Sequence, residues 1–421
     1  MKVIVNLLIF IFFIGPFVKA EEVPLTLEEA LGIGLRENRY IILGEEELRK
    51  AKVRIKESYA ELYPSLSFLS ALSLTDGYYS KDLRQNSLQV GLKQYLYTGG
   101  RIFNTIKYNG ILFEISQASL DTTRIEIALQ IKKAFYTLLL AQEYLSLNKI
   151  LVENSQEHLN VIQERYKAGE VSFSELLVVQ ASFENLTQVY KSCANQVALA
   201  QEVLKNLLYL KREIDIKAQG DFTYEPKEVA FDEALLKALE ERPEIRRVSL
   251  QIELDKRAIE LAKSQSRPTI YASWDYYSKS HSASVIGANK NWNDYNLLGI
   301  TFSWPVFDGW RAKYKVEQAI ADLRKSQILK EKINQDIVLE LKEAYLNLKD
   351  AIFKIKASES DLKLYEENLK VAEEKYKKGE VSLLGKSDAY AKFMISKFNR
   401  TQAVFDYLNA KASFEKASGG L

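Results

Sequence analysis

Cysteine, histidine, methionine and proline are all scarce in this chain, and each scarcity excludes something. Cys193 is the only cysteine, so no disulfide can form within the chain. The two histidines, His158 and His281, lie far apart, and there are only two methionines, so no metal cluster or metal-binding tract is written here. The charge of one sign is also missing: 58 basic residues face 56 acidic ones, a net +2 that gives no electrostatic case for nucleic acid. The seven prolines stand at 16, 24, 64, 226, 243, 268 and 305, with none between 65 and 225 or after 305. Proline breaks helix interiors, so both gaps are free to hold very long helices. Beyond residue 20, no stretch approaches the ~20 apolar residues that a membrane-spanning helix needs.

The N-terminus reads as an export signal over residues 1–20. Met1-Lys2 is a short basic start, Val3 to Val18 is apolar, and Val18-Lys19-Ala20 offers a small-x-small cleavage site before Glu21. The alternative is a membrane anchor, for which the apolar run is short. No cysteine follows the signal to carry a lipid. Cys193 is expected as a small buried apolar residue rather than a reactive thiol.

The rest of the chain is written twice. RYKAGEVS at 165–172 returns as KYKKGEVS at 375–382, an offset of 210. Leu96-Tyr97-Thr98-Gly99-Gly100-Arg101 returns at the same offset as Val306-Phe307-Asp308-Gly309-Trp310-Arg311. Nearer the N-terminus the offset is 204, relating Leu27-Glu28-Glu29-Ala30-Leu31 to Phe231-Asp232-Glu233-Ala234-Leu235 and Pro64 to Pro268. Each copy carries a heptad seam: Ile131, Leu138, Leu145, Val152, Leu159 and Tyr166 in the first, Leu341, Leu348, Ile355, Leu362, Leu369 and Tyr376 in the second. A parallel seam of mostly small or polar residues (Ala134, Ala141, Asn148, Ser155; Ala344, Ala351, Ser358) lets a neighbouring helix come close. Six heptads indicate coiled-coil packing, and the uninterrupted runs from Arg101 to about Lys167 and over 311–378 predict helices of roughly 100 Å, far longer than ordinary globular helices. Each ends at Gly169 or Gly379, a left-handed C-cap, and Ser172 or Ser382 can cap the returning helix. The repeated phrase is therefore the turn of a long antiparallel helical hairpin.

Between these helices the period changes to two. Leu66, Phe68, Leu72 and Leu74 alternate with serines, and Leu88, Val90, Leu92 and Leu96 alternate with Gln89, Gly91 and Lys93. The second copy has Ile270, Ala272, Trp274 and Tyr276, then Leu298, Ile300, Phe302, Trp304 and Val306. All four tryptophans fall here, at 274, 292, 304 and 310. Such strands suit a membrane barrel wall with interfacial aromatic girdles, or else a small soluble sheet packed on helices. The smallest barrels have about eight strands, and this chain supplies about four, so membrane insertion requires several chains side by side.

On the paired prolines, the Gly-Arg corners and the paired Tyr-Lys-x-Gly-Glu-Val-Ser turns, the chain resembles the TolC-type outer membrane efflux protein family. The resemblance covers about Leu25 to Ala417. It implies a mainly α fold with a small β part: a homotrimer whose four-stranded contributions close a twelve-stranded β-barrel, continued by a helical α-barrel in the periplasm. The implied organisation is a signal peptide 1–20 and two repeats. The first, 21–226, holds short helices 27–62, a β-hairpin 65–98, a helical hairpin 100–210 and a linker 211–226. The second, 227–421, holds short helices 231–264, a β-hairpin 269–308 and a helical hairpin 310–418. The implied partners are outer membrane lipid, a periplasmic adaptor (membrane fusion) protein and an inner-membrane pump of RND or ABC type, with nucleic acid excluded.

The resemblance also assigns residues. Gly169, Val171, Ser172, Gly379, Val381 and Ser382 would dock the adaptor, besides making a tight turn. Glu175 and Asp388 would line the tunnel's constriction, or be solvated charges; the positions that complete the family's double acidic ring hold Val178 and Gly385. Gly99, Arg101, Gly309 and Arg311 form strand-to-helix corners; a helix-start anion site is the less economical reading. Trp274, Trp292, Trp304 and Tyr276 are expected in the membrane girdle. No triad, phosphate loop or cofactor motif is present, so an enzyme is not expected. The alternative to a conduit is a periplasmic structural or adaptor coiled coil without a channel.

Overall fold

A computed structural model describes residues 23–75, 83–211, 214–220, 224, 230–281 and 292–420. The export signal and part of the linker (212–213, 221–223 and 225–226) lie outside these residues. Two compact units divide the chain. One takes Ile127–Lys227 and Asn347–Ser413 together with the chain up to Asn38; the other takes Arg39–Glu126, Glu228–Leu346 and Phe414–Leu421.

The elements follow the order β1 (Val23–Leu25), α1 (Leu27–Glu37), α2 (Arg39–Ala60), β2 (Ser65–Thr75), β3 (Leu83–Tyr97), α3 (Arg101–Lys167) and α4 (Phe173–Leu208). Then come β4 (Ile216–Ala218), α5 (Phe231–Glu241), α6 (Pro243–Ser264), β5 (Thr269–His281), β6 (Trp292–Ser303), α7 (Arg311–Lys377) and α8 (Leu383–Ala417). Helices α3 and α7 each run 67 residues without a break, as the proline gaps allow. No described helix is long and apolar enough to cross a membrane.

In the first unit the heptads set the packing. Ile131 and Leu138 are fully buried on α3, and Leu348 and Ile355 are buried on α7. Along the seam Leu145, Val152 and Leu362 are half-buried and Leu159 and Leu369 are buried, whereas Tyr166 and Tyr376, one turn from the hairpin ends, are exposed. On the second seam Asn148 is buried and donates to the Sγ of Cys193 on α4. Burial also pushes the Cys193 thiol up, so it stays protonated and inert. A short parallel ladder joins β1 to β4, pairing Val23 with Ile216 and Leu25 with Ala218. Thr26 closes β1 with a capping box: its hydroxyl accepts from the Glu29 N–H, and Glu29 accepts from the Thr26 N–H. Three residues are too few for a period-two pattern, so this ladder is invisible in the sequence.

In the second unit β2, β3, β5 and β6 form one antiparallel sheet in that order. In the same unit an ion cluster around the buried Arg242 ties three sequence-distant segments. Arg242, between α5 and α6, is buried and donates to Glu244 at 2.9 Å and to Glu340 on α7 at 2.7 Å. Lys416, at the end of α8, reaches Glu340 at 2.5 Å. Burial works to raise both carboxyls. For Glu244 the Arg242 hydrogen bond, and for Glu340 those of Lys416 and Arg242, outweigh burial and hold them below the usual range.

Removing Arg242 would leave two half-buried carboxylates without their fork. Arg242→Ala is expected to lower unfolding free energy by about 2–4 kcal/mol at neutral pH. Because the folded carboxyl pKa values are depressed, this contribution is complete above the ordinary carboxylate pKa and lost as pH falls through the folded values. Urea titrations followed by far-UV circular dichroism should therefore show the gap between wild type and variant at pH ~7 closing at pH ~3.

Candidate functional site

The sheet carries its apolar side chains where water or lipid reaches them. Leu66, Leu92, Trp274 and Leu298 stand side by side across all four strands. All four are exposed, Leu66 at 72% and Leu298 at 79%. Phe68 on β2 and Ile300 and Phe302 on β6 extend the same face and are equally open. The opposite face is largely polar: Ser67 opposes Gly91, which opposes Asp275, and Lys93 opposes Ser273. On the central strands Lys93, Tyr95, Tyr271 and Tyr277 of that face are half-buried. Leu69 and Leu297 are its apolar exceptions. A soluble sheet would bury the leucines and expose the lysines; here Leu92, Leu96 and Trp274 on the central strands are exposed while Lys93 and Lys279 are half-buried. The edge strands β2 and β6 have a neighbour on one side only.

The aromatic residues spread along this band. Trp292 begins β6 and Trp304 follows its last residue, both exposed. The Trp304 indole N–H donates to the Ser266 carbonyl at 3.1 Å, fixing the ring beside the helical end of the sheet. Trp274 pairs with Leu298, midway between those two levels, and Tyr276 pairs with Asn296 one step from it on the same face.

At the two corners the chain turns from strand to helix on a left-handed glycine, Gly99 at φ +62° and Gly309 at φ +69°. Residue 98 or 308 then caps the helix: Thr98 Oγ1 accepts from the Ile102 N–H, and Asp308 Oδ2 accepts from the Ala312 N–H. These caps occupy the helix starts from within the chain. Arg101 pairs with Glu61 at 2.8 Å, and Arg311 lies 3.9 Å from Asp308. Gly99 is doubly required, since an added Cβ would lie 2.5 Å from the Cβ of Arg267, whose guanidinium donates to the Gly99 carbonyl.

The two hairpin turns are alike bond for bond. Gly169 (φ +78°) and Gly379 (φ +76°) each end the long helix in a Schellman motif. The Gly169 N–H donates to Tyr166 and that of Glu170 to Arg165; Gly379 and Glu380 repeat this on Tyr376 and Lys375. Ser172 accepts from the Glu175 N–H and Ser382 from the Gly385 N–H, starting the return helix. Val171 and Val381 are half-buried, whereas both glycines and both serines are exposed. Phe173, Val178 and Leu384 add exposed apolar surface just past the turns, a feature missed from sequence because no period marks it. Glu175 is exposed and makes no ion pair among the described residues; Asp388 is exposed and held by Lys392 at 2.8 Å. Gly385 has a packing reason, since a Cβ there would lie 2.6 Å from Val381 Cγ1.

The sequence pattern of the family described as "Outer membrane efflux protein" matches residues 35–208 and 234–420. The chain belongs to the outer membrane efflux protein family. Among curated relatives, the outer membrane protein TolC of Escherichia coli (strain K12) is 22% identical over 301 residues, 66% of this chain and 60% of TolC. The chain thus spans about 60% of the length of that relative. Among solved structures, the Campylobacter jejuni CmeC outer membrane channel superposes with TM-score 0.81 over 94% of this chain and 85% of its own, at 15% identity. The open state of the Neisseria gonorrhoeae MtrE outer membrane channel superposes with TM-score 0.79 over 94% and 89%, at 17% identity. This efflux-family chain therefore has the mainly helical fold, with a small sheet part, of outer membrane channels.

Glycine substitutions should separate the turns from the corner. At Gly169 and Gly379 an added Cβ meets nothing within 4 Å, so alanine costs only the left-handed backbone, about 1 kcal/mol each. Gly99→Ala adds the overlap with Arg267 and is expected to cost about 3 kcal/mol. Denaturant midpoints of the three single variants test the ranking.

Proposed function

We propose that the mature chain is one of three copies that together form an efflux channel of the cell outer membrane. Four strands from each copy close one twelve-stranded β-barrel, and the long helical hairpins continue it as a periplasmic tunnel. The observation that carries this reading is the sheet: its apolar face is exposed, its polar face is sheltered on the central strands, and both edges are open. In lipid every backbone N–H and C=O must be paired, so such a sheet is viable there only when copies join β6 of one to β2 of the next. Trp292 and Trp304 mark the two rims of the lipid-facing band; Trp274 and Tyr276 belong to its middle.

The two-repeat organisation is supported by matched elements. Helices α1 and α5 are each 11 residues, α2 and α6 each 22, and α3 and α7 each 67. Buried Asn38 donates to the Leu207 carbonyl, and Arg242 donates to the Ala417 carbonyl. These pairs obey the 204 and 210 offsets. Residues 1–20 then serve as the export signal that delivers the chain.

The hairpin turns are the docking surface for a periplasmic adaptor, and through it for an inner-membrane pump that supplies the cargo. Supporting this, both turns present a glycine, a half-buried valine and a serine in the same hydrogen-bonded frame, flanked by exposed apolar side chains. Glu175 and Asp388 form the acidic constriction, where three copies of each carboxylate draw cations. The positions that would complete the family's double acidic ring hold Val178 and Gly385, and at Gly385 an added Cβ would lie 2.6 Å from Val381 Cγ1. No cofactor is needed for a passive conduit.

Two measurements test this reading. Purified protein in planar bilayers should give discrete conductance steps, and absence of any conductance counts against a channel. Deleting 167–172 together with 377–382 should abolish cross-linking to the adaptor while the trimer still assembles; persistent cross-linking removes the docking assignment.

A further inference from the structure

We propose that the polar face of the sheet binds organic anions carrying a flat ring, at two levels marked by Lys93 and Lys279. This rests on the reading of that face as the lining of a barrel. Lys93 Nζ lies 4.0 Å from the ring centroid of Tyr271 and 4.8 Å from that of Tyr95. Those two rings meet edge-on at 6.0 Å. Lys279 Nζ lies 5.1 Å from Tyr277 and 5.5 Å from Tyr295, whose rings are stacked at 5.0 Å and 18°. The same arrangement, one ammonium on two tyrosines from adjacent strands, thus occurs twice on one face.

What matters is what these lysines lack. Neither forms an ion pair with a carboxylate among the described residues. The described acidic group of this face, Asp275, accepts from Gln89 Nε2 at 2.9 Å instead. A ring face holds an ammonium weakly where solvent reaches it, without cancelling its charge. The cation is positioned and its charge remains available. A solute with an anionic group and a flat ring gains twice, from the ammonium and from stacking or edge contact with the tyrosines.

The register separates the levels. Lys93 lies opposite Ser273, and Lys279 opposite Ser87. From 273 to 279 along β5 is about 20 Å at ordinary strand rise. Each copy in a closed barrel repeats both levels, which raises local anion concentration. Two weak sites in series let a solute enter and still leave. The candidate constriction residues, Glu175 and Asp388, carry the opposite sign, so the lining selects separately from the constriction.

Full-length mature protein in planar bilayers tests the proposal, with naphthalenesulfonate as blocking probe and methanesulfonate as its ringless counterpart, added from the side of the strand-connecting loops. Naphthalenesulfonate should block at lower concentration than methanesulfonate. The Lys93→Gln/Lys279→Gln double variant should need about tenfold more naphthalenesulfonate for the same block, and Lys93→Arg/Lys279→Arg should behave like wild type. Tyr271→Leu/Tyr277→Leu should weaken block by naphthalenesulfonate and leave that by methanesulfonate. Normal conductance in the Gln double variant with unchanged block overturns the proposal while leaving the channel reading intact. Equal potency of the two probes on wild type overturns the ring requirement. Absence of conductance in wild type overturns the channel reading on which the proposal rests.

Discussion

A strand at the edge of a sheet has backbone N–H and C=O groups that need partners, and lipid supplies none. That constraint governs this molecule. The chain makes four strands, pairs them β2-β3-β5-β6, and leaves β2 and β6 with open sides. It also turns Leu66, Trp274, Leu298 and Ile300 outward. In water both features are liabilities, inviting edge pairing and aggregation. In a membrane, with several copies joined edge to edge, both are resolved at once. The N-terminal apolar segment, the small size of the sheet and the aromatic rims are all consistent with delivery to such a place.

The helices answer a different demand. Each long helix is stabilised along a stripe rather than by burial all round. On α3 and α7 the stripe is a heptad seam, buried at Ile131, Leu138, Leu341 and Ile355, half-buried at Leu145, Val152 and Leu362, and exposed at Tyr166 and Tyr376 beside the hairpin turns. Small residues on the adjacent seam allow close approach. The turns are fixed by Schellman bonds and serine caps, so their shape is set by backbone hydrogen bonding rather than by burial. The ion cluster of Arg242, Glu244, Glu340 and Lys416 ties the end of α8 to α7 and to the start of α6. Arg242 is buried and its carboxylate partners are half-buried, which makes the cluster a device of position more than of net stability.

Much of this was legible in the sequence because the relevant signals are periodic or punctuated. Heptads gave the long helices, and alternation of Leu66, Phe68 and Leu72 with serines gave the face of β2. Glycines at 99, 169, 309 and 379 marked the two corners and two hairpin turns, where φ is positive. What escaped was either too short or too distributed. The β1–β4 ladder spans three residues per strand. The Arg242 cluster needs residues 242, 340 and 416 to meet, and no local pattern announces it. The heights of the tryptophans depend on strand register: Trp274 looked like its three fellows until pairing with Leu298 set it between Trp292 and Trp304. The tyrosine-held lysines escaped because Lys93 and Tyr271 come from different repeats and become neighbours only through the β3–β5 pairing.

The most direct measurement is disulfide trapping across the open edges, in a Cys193→Ala background. One cysteine is placed on β2 at Ser67 or Leu69, and one on β6 at Leu297 or Gly299, in each of the four combinations. Closure by identical copies predicts that at least one combination gives cross-links between chains, and that the ladder stops at a closed three-chain species. A water-soluble monomer with no cross-links in any combination, or a ladder that extends without closing, would contradict the account.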